Sequence, residues 1–338
     1  MIPFKKGEKR TVSEQTMREI YDKIKTDGEK LTVMKLDDDM TDSPSVFKKD
    51  GVWYLYFISI SKDVNKSGYE THLARSTDLL HWDYVGTVFR RNGLDRWDSK
   101  QCAGYAAFKD IGFDGTNELI PVNGRYYISY LAGNSDGYEP DPLFMGQAAT
   151  ADPTDPDGFD RFPDPILAPD DADGRPFEEK TLYKSFMFID DAEVTGYKYV
   201  NIYNAKASDR RERVFLAVSE DGEHWERYGD RHVFARQDRH PEVLITGDPQ
   251  IVKIGDIYVM FYFTWTEGQH AYNTFACSYD LVNWTDWEGE PLVKSDSPMD
   301  DEHAHKTWFI RDNGKNYHFY CAVNGRGERF IAVKVSKQ

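Results

Sequence analysis

The sequence predicts an all-β protein, a five-bladed β-propeller preceded by a short N-terminal helix, and three observations predict it. A glycine-centred turn followed by an aromatic-rich run recurs five times along the 338 residues. A second marker, Ser-x-Asp-x-x-x-Trp, closes the third strand of several of these units. No stretch approaches the roughly 18 apolar residues of a membrane span, whereas 20 Phe, 21 Tyr and 8 Trp supply ample core material.

From the N-terminus, Val12 to Lys25 places apolar or aromatic residues at 12, 17, 20, 21 and 24, a helical spacing with Thr11 or Ser13 as its cap. The repeat then begins. Its turns are Lys49-Asp50-Gly51, Val122-Asn123-Gly124, Val194-Thr195-Gly196, Ile254-Gly255-Asp256 and Asp312-Asn313-Gly314. Asp-Gly and Asn-Gly between apolar runs signal tight hairpins, because both central residues must take positive φ. The turn glycines stand at 51, 124, 196, 255 and 314, separations of 73, 72, 59 and 59 residues. The second marker follows at Ser76-Thr77-Asp78 to Trp82, Ser219-Glu220-Asp221 to Trp225 and Ser278-Tyr279-Asp280 to Trp284, with a degenerate copy at Thr150-Ala151-Asp152. Each unit therefore reads as a meander of about four strands, and radial repetition of such units is a propeller. Asp152 to Lys180, Pro-rich with ten carboxylates, reads as a surface connection. The expected division is 1–40 as helix and lead-in strand and 41–338 as the propeller.

Composition limits the partners. The 42 basic residues against 58 acidic ones give a net charge of −16, which disfavours nucleic acid and anionic membranes. Cys102, Cys277 and Cys321 lie far apart, without a Cys-x-x-Cys pair or a disulfide framework. A reducing, cytoplasmic setting suits them; a periplasmic one fits equally if a signal peptide has been removed.

Meander geometry sorts the motifs between two faces. The Ser-x-Asp-x-x-x-Trp turns fall with the tight hairpins and read as structure, Asp capping the turn and Trp packing between sheets. The opposite face collects the entries of the innermost strands, aligned as Asp42-Ser43-Pro44, Gly115 to Glu118, Lys184-Ser185-Phe186, Gly247-Asp248-Pro249 and His305 to Trp308. Three carboxylates converging beside packed strands imply function, since desolvating a charge costs several kcal/mol. Loops reaching the same face carry Tyr69, Tyr138, Glu139, Asn204, Trp265, Glu267 and Arg326, a mixture that suits a polyhydroxylated ligand. The expected catalytic residues are Asp42, Glu118 and Asp248, and the expected ligand contacts are Lys184, Ser185, Trp265, Glu267, His305 and Lys306. His303-Ala304-His305 reads as hydrogen-bonding histidines rather than a metal site. No cofactor or metal is expected, although a structural cation near the axis is compatible with the fold.

These features resemble the five-bladed propeller glycoside hydrolases, the superfamily of families 43, 62, 32, 117 and 130. The resemblance runs from about Asp42 to the end and rests on Asp42 to Val46 before Gly51-Val52-Trp53, on the Ser-x-Asp-x-x-x-Trp turns, and on Gly247 to Ile251. It implies exo-acting, inverting hydrolysis of plant or algal oligosaccharides, with Asp42 as base and the acid and its tuner drawn from Glu118 and Asp248. Two departures stand out: Ser43 intervenes between Asp42 and Pro44, and the third unit's entry holds Lys184-Ser185-Phe186 where the family has its acidic Glu. The alternatives are a phosphorylase that holds phosphate on Lys306 and His305, and a sugar-binding propeller without an acid.

Overall fold

The computed structural model describes residues 1–5, 10–63 and 67–337. Its helix α1 (Glu14–Ile24) starts where Ser13 Oγ accepts the N–H of Thr16, so Ser13 is the cap. The helix buries Met17, Ile20 and Ile24 against a cluster with Val259, Phe261, Phe275 and Trp287. A lead-in strand β1 (Lys30–Met34) follows. The first meander is β2 (Asp39–Lys49), β3 (Val52–Ser61), β4 (Tyr69–Ser76) and β5 (Asp83–Phe89), and the second is β6 (Gln101–Ala106), β7 (Tyr126–Gly133), β8 (Phe144–Thr150) and β9 (Asp160–Arg161). The third is β10 (Thr181–Ile189), β11 (Tyr199–Lys206), β12 (Glu212–Ser219) and β13 (Glu226–Tyr228). The fourth is β14 (Val243–Ile254), β15 (Ile257–Thr266), β16 (Tyr272–Ser278) and β17 (Trp284–Asp286), and the last is β18 (His303–Asp312), β19 (Lys315–Val323) and β20 (Arg329–Val335). The third and fourth meanders join into one sheet through a parallel contact, Glu212 to Ile245.

β1 pairs antiparallel with β20 and completes the last meander. The expected division at residue 40 therefore separates a strand from its own sheet. Such pairing removes an open edge, the usual liability of a sheet. The innermost strands touch in a closed cycle: β2 meets β6, β6 meets β10, β10 meets β14, β14 meets β18, and β18 returns to β2. Each seam carries a hydrogen bond from one meander's side chain to its neighbour's backbone. Ser45 Oγ accepts from Ala106 N at 2.9 Å, Ser129 Oγ donates to the Ser185 carbonyl at 3.3 Å, and Asn204 Oδ1 accepts from Asp248 N at 3.1 Å. Gln250 Nε2 donates to the Phe309 carbonyl at 2.9 Å, and Trp308, fully buried, donates its indole N–H to the Val46 carbonyl at 2.8 Å.

The recurrent turns behave as their residues dictate. Asp50-Gly51 and Asn313-Gly314 both take positive φ (50° and 79°, 48° and 79°), the backbone of a tight primed turn. In the marker turns Asp78 Oδ1 accepts from Leu80 N and His81 N, Asp221 Oδ1 from Glu223 N and His224 N, and Asp280 Oδ1 from Val282 N and Asn283 N. A buried tyrosine, carboxylate and cation also recur, as Tyr130–Asp98–Arg161, Tyr203–Glu178–Arg227, Tyr262–Asp286–Arg236 and Tyr320–Asp300–Lys30. A buried carboxylate needs such partners, because its desolvation is otherwise uncompensated. Glu178, upstream of the third meander, is thereby committed to structure.

The second meander departs from the expected register. Its innermost strand is Gln101–Ala106, and residues 107–125 form an insertion before β7. This lengthens the first separation between turn glycines, as the connection from β9 to β10 lengthens the second, and displaces everything aligned on Gly124.

Candidate active site

Four innermost strands carry the same one-residue bulge. Asp42 and Ser45 pair with Ile58 and Tyr56, Leu182 and Ser185 with Ala205 and Tyr203, Gly247 and Gln250 with Phe263 and Phe261, and His305 and Trp308 with Cys321 and Phe319. In each case two residues oppose one. The intervening Ser43 is therefore half of a bulge that also exists in the other strands, and Asp42 keeps its place despite it. Ser43, Asp248 and Lys306, each first in its bulge, take φ of 50°, 56° and 60°. A non-glycine residue held there costs on the order of 1–3 kcal/mol, and bulges of this kind re-aim side chains next to active sites.

The re-aimed groups meet others from the start of third strands. Arg329, which opens β20, donates to Asp42 Oδ2 at 2.8 Å and to the Tyr138 hydroxyl oxygen at 3.1 Å. Ser43 N donates to Asp42 Oδ1 at 2.6 Å. Glu212, which opens β12, accepts from Asn204 Nδ2 at 2.7 Å. Tyr69, which opens β4, donates its hydroxyl to Glu139 Oε1 at 3.0 Å, and Tyr183 donates to Glu139 Oε2 at 3.2 Å. Asp248 lies between two ammonium groups, Lys306 at 3.7 Å and Lys184 at 3.9 Å, and its Oδ2 has no hydrogen-bond partner among the described residues. Asp42, Ser43, Tyr69, Tyr105, Glu139, Tyr183 and Lys306 line a small recess of ≈ 10 Å³. A larger groove of ≈ 280 Å³ beside Phe4, Arg231 and Trp284 contains none of these groups, and its Arg236 is already paired with Asp286.

The carboxyls are driven apart electrostatically. Burial pushes Glu212 up to about 8, and the negative charges of Glu139 and Asp248 add to it against Lys306. Burial acts the same way on Asp42, but Arg329, Lys306 and His305 outweigh it and hold Asp42 well below the usual carboxylate range. Lys184 is lowered to about 8, mainly by burial. Carboxyls whose environments separate their protonation states are what two-carboxylate acid–base chemistry requires.

A structure described as "Glycoside hydrolase" is 37% identical, covers 97% of this chain and 96% of its own, and superposes with a TM-score of 0.90. The protein is a glycoside hydrolase of the β-propeller superfamily. A second structure, a complex of BT0996 with RGII, is 36% identical with the same coverage and TM-score. The fold of a thermostable family-43 glycoside hydrolase matches the hydrolase over 90% of its chain and 91% of that structure, with 16% identity and a TM-score of 0.62. No family model and no curated protein matches the sequence.

Of the residues expected at the hydrolase's mouth, Asp42, Asp248, Lys184, His305 and Lys306 come together. Glu118 does not. It lies in the 107–125 insertion, its Oε1 3.5 Å from the N–H of Gly51 in the first tight hairpin, so it belongs to the opposite face. The cause is the register of the second meander. Ser185 is also elsewhere, buried and donating to Asn201 Oδ1 at 2.7 Å while its carbonyl seals a seam. Lys184 sits beneath the recess, donating to the Thr307 carbonyl at 2.9 Å between the Trp308 and Tyr105 rings. Trp265 is a rim residue, its indole bonded to the Gln269 carbonyl and its ring edge-on to His303, and Glu267 is exposed beside it. Sequence reasoning missed Glu212 and Arg329. Their signal is a charge on an otherwise apolar strand face, Glu212 with Val214, Leu216 and Val218, and Arg329 with Ile331 and Val333.

Proposed function

We propose that this hydrolase is a five-bladed propeller that removes terminal sugars from plant oligosaccharides, with Glu212 as the proton donor. The closed cycle of innermost strands supports the blade count. The carrying observation for the chemistry is Glu212, a buried carboxyl raised to about 8 beside Glu139 and Asp248. At neutral pH it holds a proton that it can deliver to the glycosidic oxygen as the bond breaks.

The second carboxylate is Glu139. Asp42 is a poor base, because a carboxylate stabilised by Arg329 at 2.8 Å gives up little free energy on accepting a proton. Glu139 instead lines the recess, and its charge acts on Glu212. Two tyrosine hydroxyls fix both of its oxygens. In the inverting course that the superfamily resemblance favours, Glu139 takes the proton of the attacking water while Glu212 protonates the leaving group. Asp42 and Arg329 form the charged floor that orients sugar hydroxyls. The recess is too small to thread a polymer, which supports exo action.

Phosphorolysis is disfavoured by the same geometry. Lys306 and Lys184 lie 3.7 and 3.9 Å from Asp248 and Arg329 is bonded to Asp42, so phosphate would have to compete with a carboxylate for each cation. The neighbour in complex with RGII supports an oligosaccharide of that polysaccharide as substrate. The test is product analysis on a panel of plant oligosaccharides including RGII fragments, with and without phosphate, and with proton NMR of the first-formed anomer. Release of one terminal sugar, independent of phosphate and abolished by Glu212→Gln, supports the reading. Internal cleavage, or a sugar phosphate formed only with phosphate present, overturns it.

A further inference from the structure

Behind Asp42 the structure brings together three donor atoms that the proposed hydrolysis does not need as a set. A carboxylate oxygen of Asp42, an imidazole nitrogen of His305 and Cys321 Sγ all lie within 4.8 Å of one another, and all three residues are buried. They come from three strands, β2, β18 and β19, where the last meander packs on the first. The bulge at Lys306–Thr307 ends the regular pairing of His305 with Cys321.

We propose that Asp42, His305 and Cys321 form a binding site for a thiophilic divalent cation, with Zn²⁺ as the ion that this donor set selects. A sulfur, an imidazole nitrogen and a carboxylate oxygen suit tetrahedral zinc, whereas calcium and magnesium take oxygen ligands. His305 is already held as a ligand must be. Its Nδ1–H donates to the Cys321 carbonyl at 3.2 Å, which fixes the ring and leaves Nε2 with its lone pair. Asp42 accepts a hydrogen bond from Arg329, so its orientation is also set before an ion arrives. On binding, the Cys321 thiol loses its proton to solvent and a sulfur–metal bond forms; nothing is oxidised or reduced. Three protein ligands leave a fourth position for water. An ion there takes a carboxylate oxygen of Asp42, which lines the recess, so it competes with the sugar for that group. That consequence rests on the proposed function, but the binding itself does not.

The experiment titrates metal-free protein with Co²⁺ and with Zn²⁺. One ion per molecule is expected, with a thiolate-to-cobalt charge-transfer absorption in the wild type. Cys321→Ser should abolish that absorption and weaken Zn²⁺ at least about 100-fold, a ligand counting for no less than the outer partners that cost roughly 10- to 100-fold. His305→Ala should weaken it similarly. Zn²⁺ should inhibit sugar release by the wild type, reversibly with a chelator, and spare Cys321→Ser. A cobalt complex without thiolate absorption overturns the site, and needs no variant to be read. So does Zn²⁺ binding to a folded Cys321→Ser variant as tightly as to the wild type.

Discussion

Asn204 couples Glu212 to Asp248: its Nδ2 donates to Glu212 Oε2 at 2.7 Å while its Oδ1 accepts the Asp248 N–H at 3.1 Å. One amide thus spans the seam between the third and fourth meanders and fixes the proton-holding carboxyl relative to the bulge that carries Asp248. The bond stabilises the ionised form of Glu212, against the dominant effect of burial. Asn204→Ala should therefore move the alkaline limb of the activity profile upward and lower kcat by losing orientation. An unchanged limb would separate Asn204 from proton delivery.

Glu212→Gln removes the proton donor while keeping shape. Turnover of natural oligosaccharides should fall about 10²- to 10⁴-fold, and aryl glycosides with activated leaving groups should be spared in part. Equal losses on both substrates would show that Glu212 is not the acid.

The pH dependence has two signs. Activity requires protonated Glu212 and so falls as pH rises through about 8. Stability follows the same group: its folded pKa lies above the ordinary 4.5, so the native state binds the extra proton and stability declines with pH between about 4.5 and 8. Glu212→Gln should melt higher than wild type at pH 8 and flatten that decline. Thermal melts across pH 5 to about 9 check it.

Arg329 and Asp42 form a buried pair, and removing one partner strands the other. Arg329→Met should destabilise by about 3–5 kcal/mol, and the double variant with Asp42→Asn by less than that. Denaturant unfolding of the three proteins gives the comparison; a double variant as unstable as the sum would contradict direct pairing.

Asp280→Ala should cost on the order of 1 kcal/mol, the scale of a lost local cap, with turnover per folded molecule unchanged. Glu118→Gln should leave both kcat and KM at wild-type values, because the side chain lies at the hairpin face. Loss of activity in Glu118→Gln would return that residue to the site.

The sequence by itself determined the repeat. Tight turns such as Asp50-Gly51 need positive φ, aspartates such as Asp78 recur because each turn leaves the same backbone donors to satisfy, and aromatic runs mark strands that one meander cannot bury alone. It also placed Asp42 and Asp248 together, since they sit at adjacent points of that repeat, Asp42 just before its bulge and Asp248 first within its own. Tertiary structure decided the rest. The 107–125 insertion broke the local register, so a glycine period alone carried Glu118 to the wrong face. Glu212 and Tyr183 come from the third meander, Glu139 from the second and Arg329 from the last, and they meet only when the innermost strands close their cycle. A proton affinity such as that of Glu212 is a property of that closure, because burial and neighbouring charge do not exist until the sheets pack.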